Sequence, residues 1–173
     1  MIDYRKIKET DCTPVLLTSF SRYQEVRRCW RQGVLKDISY IEQWDSEKKR
    51  AIVQKIHTCI AQGGSVIGAF DEQVLIGFAM VEPPLFGYKK EYINLSMLHV
   101  SHEYRGKGIG HALFEHACSA AMKLSARKLY ISVHSAEETI AFYKSVGCVN
   151  AVEVNARLAQ EEPCDCQMEY SLR

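Results

Sequence analysis

The sequence predicts a single α/β domain: a mixed, mostly antiparallel sheet of about seven strands with helices on both faces. Three observations lead there. Segments of apolar–polar alternation are interleaved with segments of helical spacing, the pattern of helices layered on a sheet. No internal repeat, low-complexity stretch or linker interrupts the 173 residues, which is one ordinary domain's length. A hydrophobic fraction of 47% and a charged fraction of 25% suit a soluble core-forming chain.

Ile2–Ile7 alternates and reads as a first strand. Thr13–Arg28 and Ser46–Ala61 carry helix-spaced apolar residues, the first with Thr13 as cap and Pro14 at the opening helical position. Between them, Trp30 to Trp44 reads as irregular and rich in aromatics. Ser65–Phe70 and Val74–Val81 form a hairpin about the turn Asp71–Gln73. The loop Pro83–Lys90 leads to a strand at Tyr92–Val100, then a helix at Gly108–Leu124. Lys128–His134 is a strand, Ala136–Val146 a helix closed by Gly147, and Val149–Val154 and Gln167–Leu172 complete the sheet.

A net charge of +1 provides no global field for nucleic acid or anionic lipid, so neither partner is expected. Met1–Lys8 is charged, unlike a signal peptide, and the apolar stretches are strand-sized, well below the ~20 residues of a membrane span. The seven cysteines are mostly single residues within apolar patterns, as in a reducing compartment, so a cytoplasmic location is expected. Cys164–Asp165–Cys166 lacks a second ligand pair, and of His102, His111 and His116, which cluster near the loop, His111 reads as a capping or solvated residue beside the glycine turn. No metal is expected.

The chemistry concentrates in Asn94–Phe114. A strand ends at Val100, a short polar loop follows, and Gly106, Gly108 and Gly110 open an amphipathic helix. Glycines leave main-chain N–H groups unshielded, and a helix N-terminus adds orphan donors and the positive dipole end. That combination binds anions, and a pyrophosphate fits it; Arg105 and Lys107 add countercharge. The spacing R-G-K-G-I-G is neither the GxGxxG dinucleotide fingerprint nor a GxxxxGK[ST] phosphate loop.

Arg105-x-x-Gly108-x-Gly110 after Leu98–His99–Val100 resembles the Q/R-x-x-G-x-G/A loop of the GNAT superfamily of acetyl-CoA-dependent N-acetyltransferases. Further on, Thr139–Tyr143 followed by Gly147–Cys148 resembles that superfamily's second signature, N-x-x-A-x-x-[FL]-Y-x-x-x-G-F. Ala136 stands at its Asn, Thr139 at its Ala and Cys148 at its final Phe. The resemblance spans Ser65 to Gly147 and implies a single GNAT domain over residues 1–173, with the sheet splayed between its fourth and fifth strands.

It also implies acetyl-CoA as co-substrate. The main chain of Leu98, His99 and Val100 would pair with the pantetheine arm, and residues 105–110 (Arg105, Gly106, Lys107, Gly108, Ile109, Gly110) would hold the pyrophosphate. Ser135, Thr139, Phe142 and Tyr143 would complete that site, with Ser135 or Thr139 standing in for the missing Asn. The acceptor would be a small-molecule amine attacking the thioester directly. Neutralising a lysine-like amine of pKa ~10.4 at pH 7 costs about 4.6 kcal/mol, which a positioned base offsets. Asn94 and Ser96, at the positions where the family often has that base, do not titrate; Glu91, Glu82 and His99 are the nearest titratable groups, Glu91 is taken with Tyr143 as the catalytic candidate, and His99 has the opposite strand parity unless a bulge intervenes. Tyr143 is the candidate hydrogen-bond donor to the departing thiolate. Tyr23, Trp30, Tyr40 and Trp44 fall where the family builds its acceptor pocket, and Arg22, Arg27, Arg28 and Arg31 form a basic run beside them. A non-catalytic acyl-CoA-binding module and a protein N-terminal or lysine acetyltransferase are alternative readings. Family habit and the frequency of twofold assembly suggest a homodimer.

Overall fold

The computed structural model describes Met1–Arg173. Seven strands form one sheet in the order β1-β4-β5-β6-β7-β9-β8. They are β1 (Ile2–Lys6), β4 (Ser65–Asp71), β5 (Val74–Phe86), β6 (Tyr92–Val100), β7 (Lys128–Val133), β8 (Val149–Asn150) and β9 (Cys166–Ser171). A separate hairpin joins β2 (Gln24–Arg31) to β3 (Val34–Glu42). The helices are α1 (Ser46–Ala61), α2 (Ile109–Lys123), α3 (Glu137–Ser145) and α4 (Ala156–Glu161).

Alternation along the strands sends side chains to two cores. On one face, Ile52, Ile56 and Cys59 of α1 pack on Val66, Phe70, Phe78 and Met80. On the other, Ile109, Leu113 and Ala117 of α2, with Ile140 and Tyr143 of α3, pack on Ile67, Ala69, Val81, Ile93 and Leu95. Helices thus cover both faces. Every sheet pairing is antiparallel except β6 with β7, and that pairing covers only Tyr92–Asn94 against Lys128–Tyr130. Beyond Asn94 the two strands separate, which is the expected splay.

Four expectations need correction. Thr13–Arg28 is not a helix: Leu16, Thr18 and Phe20 donate only to the third residue before them, at 3.1 Å each, and the chain then extends as β2. A register shift between Val26 and Arg28 accompanies the burial of Val26 and Cys29 three residues apart, which imitates helical spacing. Trp30–Trp44 is not irregular either. Arg31 pairs with Val34 across Gln32–Gly33, whose φ values of 50° and 76° match a type I′ hairpin turn. β5 continues through Pro83–Pro84 to Phe86 because the register breaks between Glu82 and Phe86, where missing proline donors cost nothing. Finally, β8 is only Val149–Asn150, and the sequence between it and β9 forms α4, capped by Asn155 accepting from the Leu158 amide at 3.1 Å.

The β2–β3 hairpin is fastened to the start of α3. The Trp30 amide donates to the Ser135 carbonyl at 2.8 Å, and Cys29 bridges Ala136. Arg28 grips the Glu137 carboxylate through Nε at 2.8 Å and Nη2 at 2.7 Å, and Gln24 Nε2 donates to Glu138 at 2.7 Å. The hairpin thereby roofs the open end of the splay.

Candidate active site

Where β6 ends, the Ser101 amide donates to the Ile76 carbonyl at 2.7 Å and the chain turns through His102–Tyr104 to Arg105. Gly106 and Gly108 take φ of 73° and 78°, and an added Cβ at either would meet nothing within 4 Å. Their requirement is conformational. Gly110 differs: its Cβ would lie 3.2 Å from Phe142, so it permits the close approach of α2 to α3. The amides of residues 106–111 donate to no acceptor in the protein, and they crowd the N-terminus of α2. Arg105 Nε donates to the Val100 carbonyl at 3.0 Å, leaving its other donors free. Lys107 Nζ lies 5.0 Å over the Tyr104 ring, outside the loop.

A cavity of about 1810 Å³ runs from this loop through the gap between β6 and β7 to the underside of the hairpin. Leu98, His99, Val100, Arg105, Gly106, Gly108, Ile109, Gly110, Ser135, Thr139, Phe142 and Tyr143 all line it; Lys107 does not. Asn94 lies where the strands part, its Oδ1 buried without a partner.

The register of β6 reverses one sequence inference. Met80 faces Met97 but Val81 faces Leu95, so Ser96 is bulged out. Parity shifts by one beyond it, and His99 points to the α1 face together with Asn94. There its ring lies 4.9 Å from Trp44 and 5.8 Å from Phe78. Burial first, then Arg22, Arg105 and His134, drive its pKa down to about 3. His99 is therefore neutral at pH 7 and too weak a base to hold a proton.

Glu82 shares that face opposite Asn94, lines the cavity and has no ion-pair partner. At the end of β7, His134 Nδ1 accepts from the Ala136 amide at 3.2 Å. A backbone N–H only donates, so neutral His134 carries its proton on Nε2. That nitrogen lies 2.7 Å from Tyr40 Oη and 3.6 Å from Glu42 Oε1. Burial, with Cys29 and Glu42 adding to it, pushes the Tyr40 phenol to about 12, so it keeps its proton. His134 and Glu42 escaped sequence reasoning because one sits at a strand end and the other in a stretch read as irregular.

Residues 22–148, well over half of the chain, match the acetyltransferase (GNAT) family. The chain belongs to that family. It is an acyltransferase. No curated protein gives a significant sequence match. Among solved structures, nourseothricin acetyltransferase superposes with a TM-score of 0.70 at 15% identity over 99% of each chain. PaiA N-acetyltransferase of Thermoplasma acidophilum, solved with coenzyme A, reaches 0.64 at 19% identity over 99% of each chain. Ribosomal-protein-S18-alanine N-acetyltransferase of Escherichia coli reaches 0.63 at 14% identity, covering 99% of this chain and 94% of its own. At these identities the likeness is one of fold.

Within this GNAT domain the second signature segment is altered for a structural reason. Ala136 is fully buried with Val26 and Cys29 beneath β2, so the signature's Asn position is covered by the hairpin. Ser135 and Thr139 are engaged from the same side: Arg31 Nη1 donates to Ser135 Oγ, and Gln24 Nε2 reaches Thr139 Oγ1 at 3.4 Å. Tyr143 is buried against Phe114 and Phe142, and burial raises its phenol far above the usual range. Glu91 is not brought to the cavity. Its carboxylate lies 3.8 Å from Lys128 at the closed end of the splay, and its carbonyl caps the Arg127 and Lys128 amides. The three loop histidines are dispersed, onto Tyr23, Phe142 and Tyr4 respectively. No group of three His, Cys, Asp or Glu side chains gathers as a metal site.

Proposed function

We propose that this GNAT protein transfers the acetyl group of acetyl-CoA to an amine of a small-molecule acceptor. The observation carrying this is the continuity of one cavity, from unpartnered amides at an α-helix N-terminus, through the strand gap, to a carboxylate-bearing pocket on the other face. The residues fit the co-substrate. Amides 106–111 with Arg105 suit a pyrophosphate, and the gap beside Asn94 Oδ1 suits a narrow polar arm. Acetyl-CoA supplies a thioester, an acyl group already activated toward amines.

Glu82, rather than Glu91, is the carboxylate placed to take the amine's proton, directly or through water. Tyr143 presents a neutral hydroxyl at the cofactor side of the gap and acts as a hydrogen-bond donor there. Its raised pKa means it holds its proton at pH 7 rather than releasing it. The half-buried aromatic side chains of Tyr40 and Trp44 on the cavity wall suit a small acceptor.

Replacing Gly108 with Val tests the site. The residue's φ of 78° strains a β-branched side chain by about 1–3 kcal/mol, yet no protein atom lies in its way. The variant is expected to fold while its calorimetric affinity for acetyl-CoA drops at least about tenfold. Wild type is expected to release free thiol with members of a panel of small amines. Unchanged affinity in the folded variant would place the donor elsewhere, and thiol release with peptides alone would move the acceptor to proteins.

A further inference from the structure

Three cations on the cavity wall, Arg22, Lys48 and Lys55, have no side-chain partner in the protein, and of these only Arg22 is part-buried. Arg31 is held by Ser135 Oγ and the Trp30 carbonyl, Arg105 by the Val100 carbonyl, and Arg157 by Glu161. Arg22 is part-buried, lines the same cavity, and makes neither hydrogen bond nor ion pair. Its position is fixed by the backbone next to it. The Ser21 amide donates to Ser101 Oγ at 2.9 Å, and the Ser21 carbonyl accepts from the His102 amide at 2.9 Å. Arg22 is thus pinned at the lip where β6 ends and the hairpin begins.

A guanidinium brings five donors and keeps its charge at any physiological pH. Burial, and then Arg105, lower its pKa, while Glu42 offsets part of that. Arg105 is thus its neighbouring cation and Glu42 its neighbouring carboxylate. Such a donor set favours an anion, and two sources could supply one: a phosphate of the donor or an acid group on the acceptor. Glu42 decides between them. A multiply charged phosphate beside Glu42 would be repelled, whereas a zwitterion satisfies both signs at once.

We propose that Arg22 binds a single anionic group on the acceptor, so that the preferred acceptors are small amines carrying a carboxylate or comparable acid. The ammonium end of such a molecule faces Glu42 and Glu82, and the acid end faces Arg22. This assignment rests on the acetyl-transfer reading above.

Matched acceptor pairs test it: amino acids against their carboxamides, followed by thiol release, with acetyl-CoA affinity measured separately by calorimetry. Wild type is expected to favour the acid member by about tenfold or more in kcat/KM. Arg22→Gln should cut kcat/KM for the acid member about 10- to 100-fold, mostly through KM, as for a lost charged hydrogen bond. The carboxamide should change less than about twofold, and acetyl-CoA affinity should hold. Arg22→Lys should recover part of the loss. Equal use of both members, or a fall in acetyl-CoA affinity with Arg22→Gln, overturns the assignment while leaving acetyl transfer intact. Tight acetyl-CoA binding with thiol release from no amine overturns both.

Discussion

In the proposed reaction, two side chains on opposite walls of the gap would divide the proton chemistry. Glu82 lines the cavity from the α1 face beside Asn94, and Tyr143 lines it from α3. A general base is worth about 10²–10⁴ in rate, and a hydrogen bond to a developing thiolate about 1.5–3 kcal/mol. Glu82→Gln is therefore expected to lower kcat about 100-fold or more and to remove one ionisation from the pH–rate profile. Tyr143→Phe is expected to lower kcat about 10- to 100-fold with the profile's shape retained and acetyl-CoA affinity within about twofold. Steady-state kinetics across pH separates the two. An unaltered profile in Glu82→Gln would return the base to an unassigned position. The sequence named both residues but chose Glu91 over Glu82, because distance along a strand does not reveal which end of a gap a carboxylate occupies.

At the scale of elements, two of the failures of sequence reading share one cause. The register shift at Arg27, which faces two residues of β3 (Ile38 and Ser39), accompanied the i, i+3 burial that imitates a helix, and the bulge at Ser96 reversed the parity assigned to His99. A bulge is a property of the pairing partner, so it leaves no local pattern. Gln32–Gly33 hid a hairpin because Gln is an unusual first residue for a type I′ turn. The glycine loop and α2 were legible because their signals are local: residues requiring positive φ, followed by a helix period. The hairpin also explains the altered signature. Ala136 is fully buried under β2 against Val26 and Cys29. Ala136→Asn, which restores the family's residue, should accordingly destabilise the protein by about 1–3 kcal/mol, since it adds volume and an unpaired amide to a filled space. Urea unfolding measures this. An unchanged or raised midpoint would mean that the hairpin yields readily and that the signature Asn position is accessible.

Taken as a whole, the molecule consists of two half-sheets joined at one corner. β1-β4-β5-β6 and β7-β9-β8 share only the short parallel pairing at Tyr92–Asn94. The corner is reinforced by Glu169 of β9, which accepts from Tyr92 Oη at 2.5 Å, the Val152 amide at 3.0 Å and Lys128 Nζ at 3.2 Å. Burial raises the Glu169 pKa, but these donors together outweigh burial and hold it below the usual carboxylate range. A carboxylate with a depressed folded pKa contributes stability above its unfolded value of ~4.3, and that contribution disappears as pH falls through the folded value. Acid is thus expected to loosen the closed end of the gap first, where the two halves meet. Glu169→Gln removes the charge while keeping the shape. At pH 7 it should cost about 1–3 kcal/mol, lowering Tm by about 2–4 °C per kcal/mol for a chain of this size. The difference from wild type should narrow steadily below about pH 4, as wild type loses the same interaction by protonation. Calorimetric Tm values from pH 7 down to about pH 3 check it; parallel curves would show that the corner is held by packing of Tyr92 and Tyr130 rather than by the buried carboxylate.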